Sequence, residues 1–189
     1  MFGRRVLREV SVMRIDHVEV ECQQGDIATQ VGMDAVVNAA NAQLMPGGGV
    51  AGALHRAAGP GLAEECAPLA PINPGQAVIT SGHELPNPFV IHTLGPVYGV
   101  DEPAEELLAA CYRNSLQRAE ESELRSVAFP AISTGAFGYP LEPAIRVAVD
   151  TVLKAIPSLE HVRHIRFVLH DAGMRDQFER ILEEMAQGR

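Results

Sequence analysis

Residues 34–60 read DAVVNAANAQLMPGGGVAGALHRAAGP, and how this stretch is parsed decides the fold. Ala35, Val36 and Val37 form a short apolar run with the length and β-branched content of a buried strand. Asn38 and Asn41 carry side chains that favour turns and are expected to end it. Gly47, Gly48 and Gly49 follow. From Val50 the period changes: Val50, Ala53, Leu54, Ala57 and Ala58 share one face of a helix that Gly59 and Pro60 close. A strand, polar turn, glycine loop and helix N-terminus in that order can press bare backbone N–H groups against an anion, and the helix dipole adds partial positive charge. The ligand implied is a phosphate or diphosphate. Three glycines alone are more often a flexible connection; their place between a strand and a helix start is what favours the phosphate. Neither nucleotide fingerprint fits. No Lys-Ser or Lys-Thr pair follows the loop, and there is no G-x-G-x-x-G with an acidic residue about 20 positions on.

A second connection of the same kind lies further along. Val127, Ala128 and Phe129 read as a buried strand that Pro130 ends, and AISTGAFGYP follows at residues 131–140, rich in glycine and hydroxyls. Two such loops at the C-terminal ends of strands in one sheet define a crevice.

The chain has 189 residues, enough for one domain with a full core. Its composition is that of an ordinary globular protein. A net charge of −9 argues against non-specific nucleic-acid binding, which needs a basic surface, but leaves a small phosphorylated ligand open. Cys22, Cys66 and Cys111 stand in no metal-ligand spacing and read as reduced buried thiols. No apolar run approaches the roughly 18 residues of a membrane span, and no apolar signal follows Arg4-Arg5, so a cytoplasmic protein is expected; the expected state is a monomer. Residues 1–12 are expected to be an extension or an edge strand, and residues 13–189 one domain.

In order, Val18, Val20 and Cys22 alternate with Glu19 and Glu21 as a half-exposed strand. Asp26, in the turn after it, reads either as a helix cap or as a carboxylate that accepts from an exocyclic amine. Residues 77–80 and 89–92 form two brief strands whose proline-rich connection is too short for a crossover helix, so they should be antiparallel neighbours. Helical stripes follow at Leu107, Leu108, Cys111, Tyr112, Leu116 and Ala119, and at Ala144, Ile145, Ala148, Val149, Val152, Leu153 and Ile156. Residues 165–169 are the last strand. A final helix is expected to bury Met174, Phe178, Ile181, Leu182 and Met185. The alternation predicts a three-layer α/β/α sandwich with a mixed central sheet of six or seven strands.

VVNAAN…GGGVAGALHRAAGP, the VIHTLGP segment and FPAISTGAFGYP together resemble the macrodomain family, which binds ADP-ribose, and most closely its MacroD-type branch. The likeness runs from about Val18 to the last helix. It implies ADP-ribose and mono-ADP-ribosylated proteins as partners, with no metal or other cofactor. It implies that Asp26 accepts from the adenine amine with Ile27 near the ring. Gly47, Gly48, Gly49 and Val50 would hold the diphosphate from one side, and Ser133, Thr134, Gly135, Ala136 and Phe137 from the other. Asn41 would bond the distal ribose and Phe137 would lie beside it; His55 is a further catalytic candidate, and His92 reads as structural. Two departures stand out. Ala51 occupies the place of an aspartate proposed to activate water, a pattern shared with viral macrodomains, although these carry a histidine where this chain has Pro46. His170 stands where an aromatic residue is frequent and could stack on adenine. The implied activity is hydrolysis of mono-ADP-ribosyl esters on acidic side chains or deacetylation of O-acetyl-ADP-ribose. The alternative is a non-catalytic ADP-ribose-binding module, which Ala51 favours.

Overall fold

The structure, a computed structural model, describes residues 10–189. Of the segment 1–12 set apart in the sequence, residues 1–9 lie outside the described residues. Val12 opens the first strand, β1 (Val12–Ile15), which pairs antiparallel with β2 (Val18–Gln24). The remaining strands are β3 (Ala35–Ala39), β4 (Ala77–Ser81), β5 (Phe89–Thr93), β6 (Ser126–Phe129) and β7 (His164–Leu169). They form one mixed sheet in the order β1-β2-β7-β6-β3-β5-β4. β2, β7, β6, β3 and β5 run parallel, so their C-terminal ends share one edge of the sheet. β4 and β5 are antiparallel neighbours, as their short connection requires.

Five helices cover the two faces: α1 (Gly49–Ala58), α2 (Gly61–Cys66), α3 (Ala104–Glu121), α4 (Leu141–Ala155) and α5 (Ala172–Gln187). On one face α3, α4 and α5 bury the predicted stripes against Val18, Val20, Val37, Val127 and Phe167. Rings of Tyr112, Phe129, Phe167 and Phe178 run through that layer at centroid spacings of 5.2, 6.1 and 5.1 Å. Phe178, Ile181 and Leu182 are fully buried, whereas Met174 and Met185 are only half-buried at the ends of α5. On the other face α1 and α2 pack on Val36, Val90, Ala128 and Val168. Apart from Asn38 and Ser126, both faces of β3 and β6 are therefore apolar, as is usual for parallel strands in the middle of a sheet.

Two local expectations are corrected. Asn38 does not end β3; it lies within the strand and is buried, because the ring of His92 on β5 supplies the polar partner that a turn would otherwise provide. The buried face of α1 is Ala51, Gly52, Leu54, His55 and Ala58, while Ala57 is exposed. The helix is rotated because the glycine loop folds back onto its first turn. All three cysteines are free and buried.

Candidate functional site

Of the five connections at the shared edge of the parallel strands, those after β2, β3, β6 and β7 enclose a cleft of about 620 Å³. It is lined by Gly25, Asp26 and Ile27 after β2, by Gly49, Val50 and Ala53 at the start of α1, and by Pro130, Ala131, Thr134 and Gly135 after β6. Val168, His170 and Met174, around the end of β7, complete it.

At the β2 end, Asp26 caps the 3-10 turn Ile27–Thr29, its Oδ1 accepting from Ala28 N at 2.8 Å. Capping and a place on the cleft wall thus coexist in one carboxylate. Gly25 N donates to the Leu169 carbonyl at 2.9 Å, which ties this turn to β7. His170 is exposed, its Nε2 3.1 Å from Asp171 Oδ2, and Asp171 caps α5.

At the β3 end the chain is braced before it reaches the glycines. Asn41 Nδ2 donates to the Met45 carbonyl at 2.8 Å and Asn41 Oδ1 accepts from Met45 N at 3.1 Å. One amide therefore closes the turn that delivers the glycine loop. A Cβ on Gly52 would lie 2.2 Å from the Gly47 carbonyl oxygen, so only glycine lets the loop rest on the helix. Gly48 caps α1 without any side-chain hydrogen bond, and Gly49 has φ +56°. The first N–H groups of α1 thus have no side-chain cap, and Gly49 and Val50 of that turn line the cleft.

The β6 connection is held from behind. Tyr112 on α3 donates to the Pro130 carbonyl at 3.4 Å and accepts from Ile132 N at 3.3 Å. Tyr98 N donates to the Phe137 carbonyl at 2.9 Å, and Tyr139 N to the Ser133 carbonyl at 2.9 Å. The rings of Tyr98 and Tyr139 touch with centroids 4.8 Å apart. Ser133 is buried at φ +66°, a left-handed conformation uncommon outside glycine, and a Cβ on Gly95 would sit 2.1 Å from its Oγ. The loop is locked in an unusual shape from outside.

Of the sequence-derived site residues, Asp26, Ile27, Gly49, Val50, Thr134, Gly135 and His170 line the cleft. Gly47, Gly48, Ser133 and Ala136 belong to the same two loops without lining it. Phe137 is half-buried and packs toward the α1 layer. His55 is buried on α1, with neither ring nitrogen bonded to a described residue. Burial holds its pKa below the ordinary imidazole value, so the ring is neutral. His92 is structural: it is fully buried, and burial, reinforced by His55 nearby, pushes its pKa down to about 3. Gly25, Ala53, Pro130, Ala131, Val168 and Met174 also line the cleft; small or apolar, they give no sign of it in sequence.

The cleft is thus walled by two backbone loops with the Asp26 carboxylate at one end, and comparison with known proteins gives the family. The Macro domain family model matches residues 37–148. The chain belongs to the macrodomain family. It is 47% identical over 166 residues to the O-acetyl-ADP-ribose deacetylase of Salmonella typhimurium, covering 85% of this chain and 92% of that protein. It is 47% identical over 145 residues to the human ADP-ribose glycohydrolase MACROD2, covering 76% of this chain and 34% of that longer protein, which places this macrodomain in the MacroD-like branch. Among solved structures, the Oceanobacillus iheyensis macrodomain mutant G37V with ADPR superimposes with a TM-score of 0.90 at 34% identity, covering 95% of this chain and 100% of the other.

In this macrodomain Ala51 is buried in the first turn of α1. Of the described residues that line the cleft, only Asp26 and His170 carry titratable side chains, and both stand at the β2–β7 end. The α1 end is lined by Gly49, Val50 and Ala53 alone.

Proposed function

We propose that this macrodomain binds ADP-ribose in the cleft and hydrolyses ester bonds on its distal ribose. The substrates are mono-ADP-ribosyl esters of acidic side chains and O-acetyl-ADP-ribose. The observation that carries the reading is the convergence of two backbone loops, 47–50 and 133–137, on one cleft with Asp26 at its far end. The diphosphate lies between the loops, where main-chain N–H groups and the α1 dipole neutralise charge without any lysine. Adenine lies at the β2–β7 end. There Asp26 accepts from its amine through the oxygen that the Ala28 cap leaves over, Ile27 packs on the ring, and His170 stacks above it.

The distal ribose then reaches the α1 end, where Asn41 bonds it and Phe137 lies beside it. With Ala51 in the helix turn and His55 buried, no side chain there takes a proton from water. The substrate's own diphosphate positions and polarises the water instead. Water adds to the ester carbonyl carbon, the bond from that carbon to the ribose oxygen breaks, and the ribose leaves as its hydroxyl while the acid is released. Catalysis of this kind rests on positioning. The name of the Salmonella relative supports the deacetylation, and that of the human relative, a glycohydrolase, supports hydrolysis at the ADP-ribose linkage without specifying the bond attacked.

A second reading, a module that binds ADP-ribose without turnover, is favoured by Ala51. Incubation with a glutamate-linked mono-ADP-ribosylated protein separates the two: release of free ADP-ribose supports the hydrolase, and tight binding with the ester left intact supports the module.

A further inference from the structure

The turn that carries Asp26 is anchored by a chain of polar side chains beneath it. Glu21 on β2 and Arg166 on β7 are register partners in neighbouring parallel strands. Both lie on the α1 side of the sheet, since Val20, Cys22, Ile165 and Phe167 fill the other face. Glu21 Oε1 accepts from Arg166 Nε at 2.6 Å and from His164 Nε2 at 2.7 Å. The other arm of the guanidinium continues outward: Arg166 Nη1 donates to Gln30 Oε1 at 3.0 Å. Gln30 Nε2 in turn donates to the Asp26 main-chain carbonyl at 2.8 Å. Glu21 and Gln30 are both about 5% exposed, so none of these contacts is a loose surface pairing.

The orientation of the Gln30 amide is forced. A guanidinium only donates, so Oε1 must face Arg166 and Nε2 must face Asp26. The Gln30 main chain is fixed as well: its carbonyl accepts from Asn87 Nδ2 at 2.6 Å, and that same amide nitrogen holds the Met33 carbonyl at 2.8 Å. Thr29 N also reaches the Asp26 carbonyl, at 3.1 Å, but from within the same turn, so it moves with that turn. Gln30 ends the turn, and its side chain is what ties the Asp26 carbonyl through Arg166 to β7. A Cβ on Gly25 would come within 3.4 Å of Gln30 Nε2, which shows how closely the amide lies under the turn.

We propose that Gln30, held by Arg166 and Glu21, is a positioning residue that sets where the Asp26 carboxylate stands and thereby the selectivity of the cleft for a base bearing an exocyclic amine. The proposal rests on the reading of the cleft as an ADP-ribose site. Gln30 touches no ligand in this scheme. It fixes the peptide plane from which the carboxylate projects, and a buried Glu–Arg pair is suited to that role because its geometry is rigid.

The test compares dissociation constants, by calorimetry, for ADP-ribose and for its hypoxanthine analogue, in which a carbonyl replaces the amine. The wild-type protein is expected to favour ADP-ribose by about tenfold or more, the range of a hydrogen bond to a charged group. Asp26→Ala brings that ratio close to unity. Gln30→Glu keeps an acceptor for Arg166 and replaces the donor to Asp26 with a negatively charged oxygen. It is expected to lower the ratio by about threefold or more while affinity for the hypoxanthine analogue stays within about twofold. Gln30→Met, which fills the same volume without polar contacts, gives the same comparison should the Glu variant not fold. An unchanged ratio in the Gln30 variants, with Asp26→Ala still collapsing it, overturns the positioning role and leaves the cleft reading intact. Equal loss of both ligands also overturns it, since Gln30 would then serve the fold alone. No binding of ADP-ribose by the wild-type protein overturns the cleft reading itself, and the positioning role with it.

Discussion

Asn38 and His92 face each other across β3 and β5, the asparagine amide donating to His92 Nδ1 at 3.0 Å. The direction of the whole chain follows from its far end. Thr80 Oγ1 donates to the Ser81 carbonyl at 3.1 Å, so at 2.9 Å from His92 Nε2 it accepts. His92 therefore carries its proton on Nε2, and Nδ1 is free to accept from Asn38. A neutral ring fits this chain, which agrees with its low pKa. The pair lies three residues before Asn41, so it holds the end of β3 from which the Asn41 turn springs.

Stability should fall with acid. Unfolded, the imidazole of His92 titrates near 6.5; folded, near 3. Between those values the unfolded chain binds a proton and the folded one does not. The stability present above about pH 6.5 is therefore lost as the pH falls, by up to about 1.4 kcal/mol per pH unit from this site. His55, also depressed by burial, acts in the same direction. Urea unfolding at several pH values between about 7 and 5 checks this. His92→Leu should cost about 2 kcal/mol or more by leaving the buried Asn38 amide without its acceptor and the Thr80 hydroxyl without its donor, and should flatten the pH profile. A profile equally steep in the variant would assign the dependence to other groups.

Gly52→Ala should disable the glycine loop. Its Cβ would meet the Gly47 carbonyl at 2.2 Å, so helix and loop must part. The expected cost is about 1 to 3 kcal/mol of stability, with a larger proportional loss of ADP-ribose affinity. Thermal unfolding with and without ligand separates the two effects. A variant that keeps full affinity would mean that the loop binds nothing.

Asp26 has two tasks that substitution can separate. Asp26→Asn keeps an oxygen for the Ala28 N–H and should leave stability within about 0.5 kcal/mol, whereas Asp26→Ala loses the cap and about 1 kcal/mol. Both should weaken ADP-ribose by about 1 to 3 kcal/mol, since each removes the charged acceptor. Denaturant titration and calorimetry on the two variants read stability and affinity independently. Full affinity in Asp26→Asn would show that the cap, and not the charge, is what binding needs.

Much of the fold was legible in residues 34–60 because period and punctuation agree there: an apolar run, then glycines, then a helical stripe. The helix stripes of α3 and α4 were legible for the same reason, and the antiparallel pairing of β4 with β5 followed from the length of their connection. Asn38 was misread because its partner lies 54 positions away on another strand, and an isolated asparagine looks like a turn. Gln30 was invisible in the same way, since Arg166 lies 136 positions from it. Ala131, Val168 and Met174 line the cleft as small or apolar residues, and nothing in their type separates a cleft wall from a core. Local signals give elements; long-range polar pairs and cleft walls arise only when the sheet assembles.

The central claim is ester hydrolysis at a reacting end that holds no protein base. Single-turnover release of ADP-ribose from a glutamate-linked substrate, measured for the wild-type protein, Asn41→Ala and His55→Ala, tests it most directly. Slow but real release is expected of the wild-type protein. Asn41→Ala should reduce the rate by more than it weakens ADP-ribose binding, because misorientation at the reacting end costs rate, and His55→Ala should be the milder change. Abolition of release by His55→Ala, with Asn41→Ala silent, would contradict the account and assign the chemistry to a histidine base.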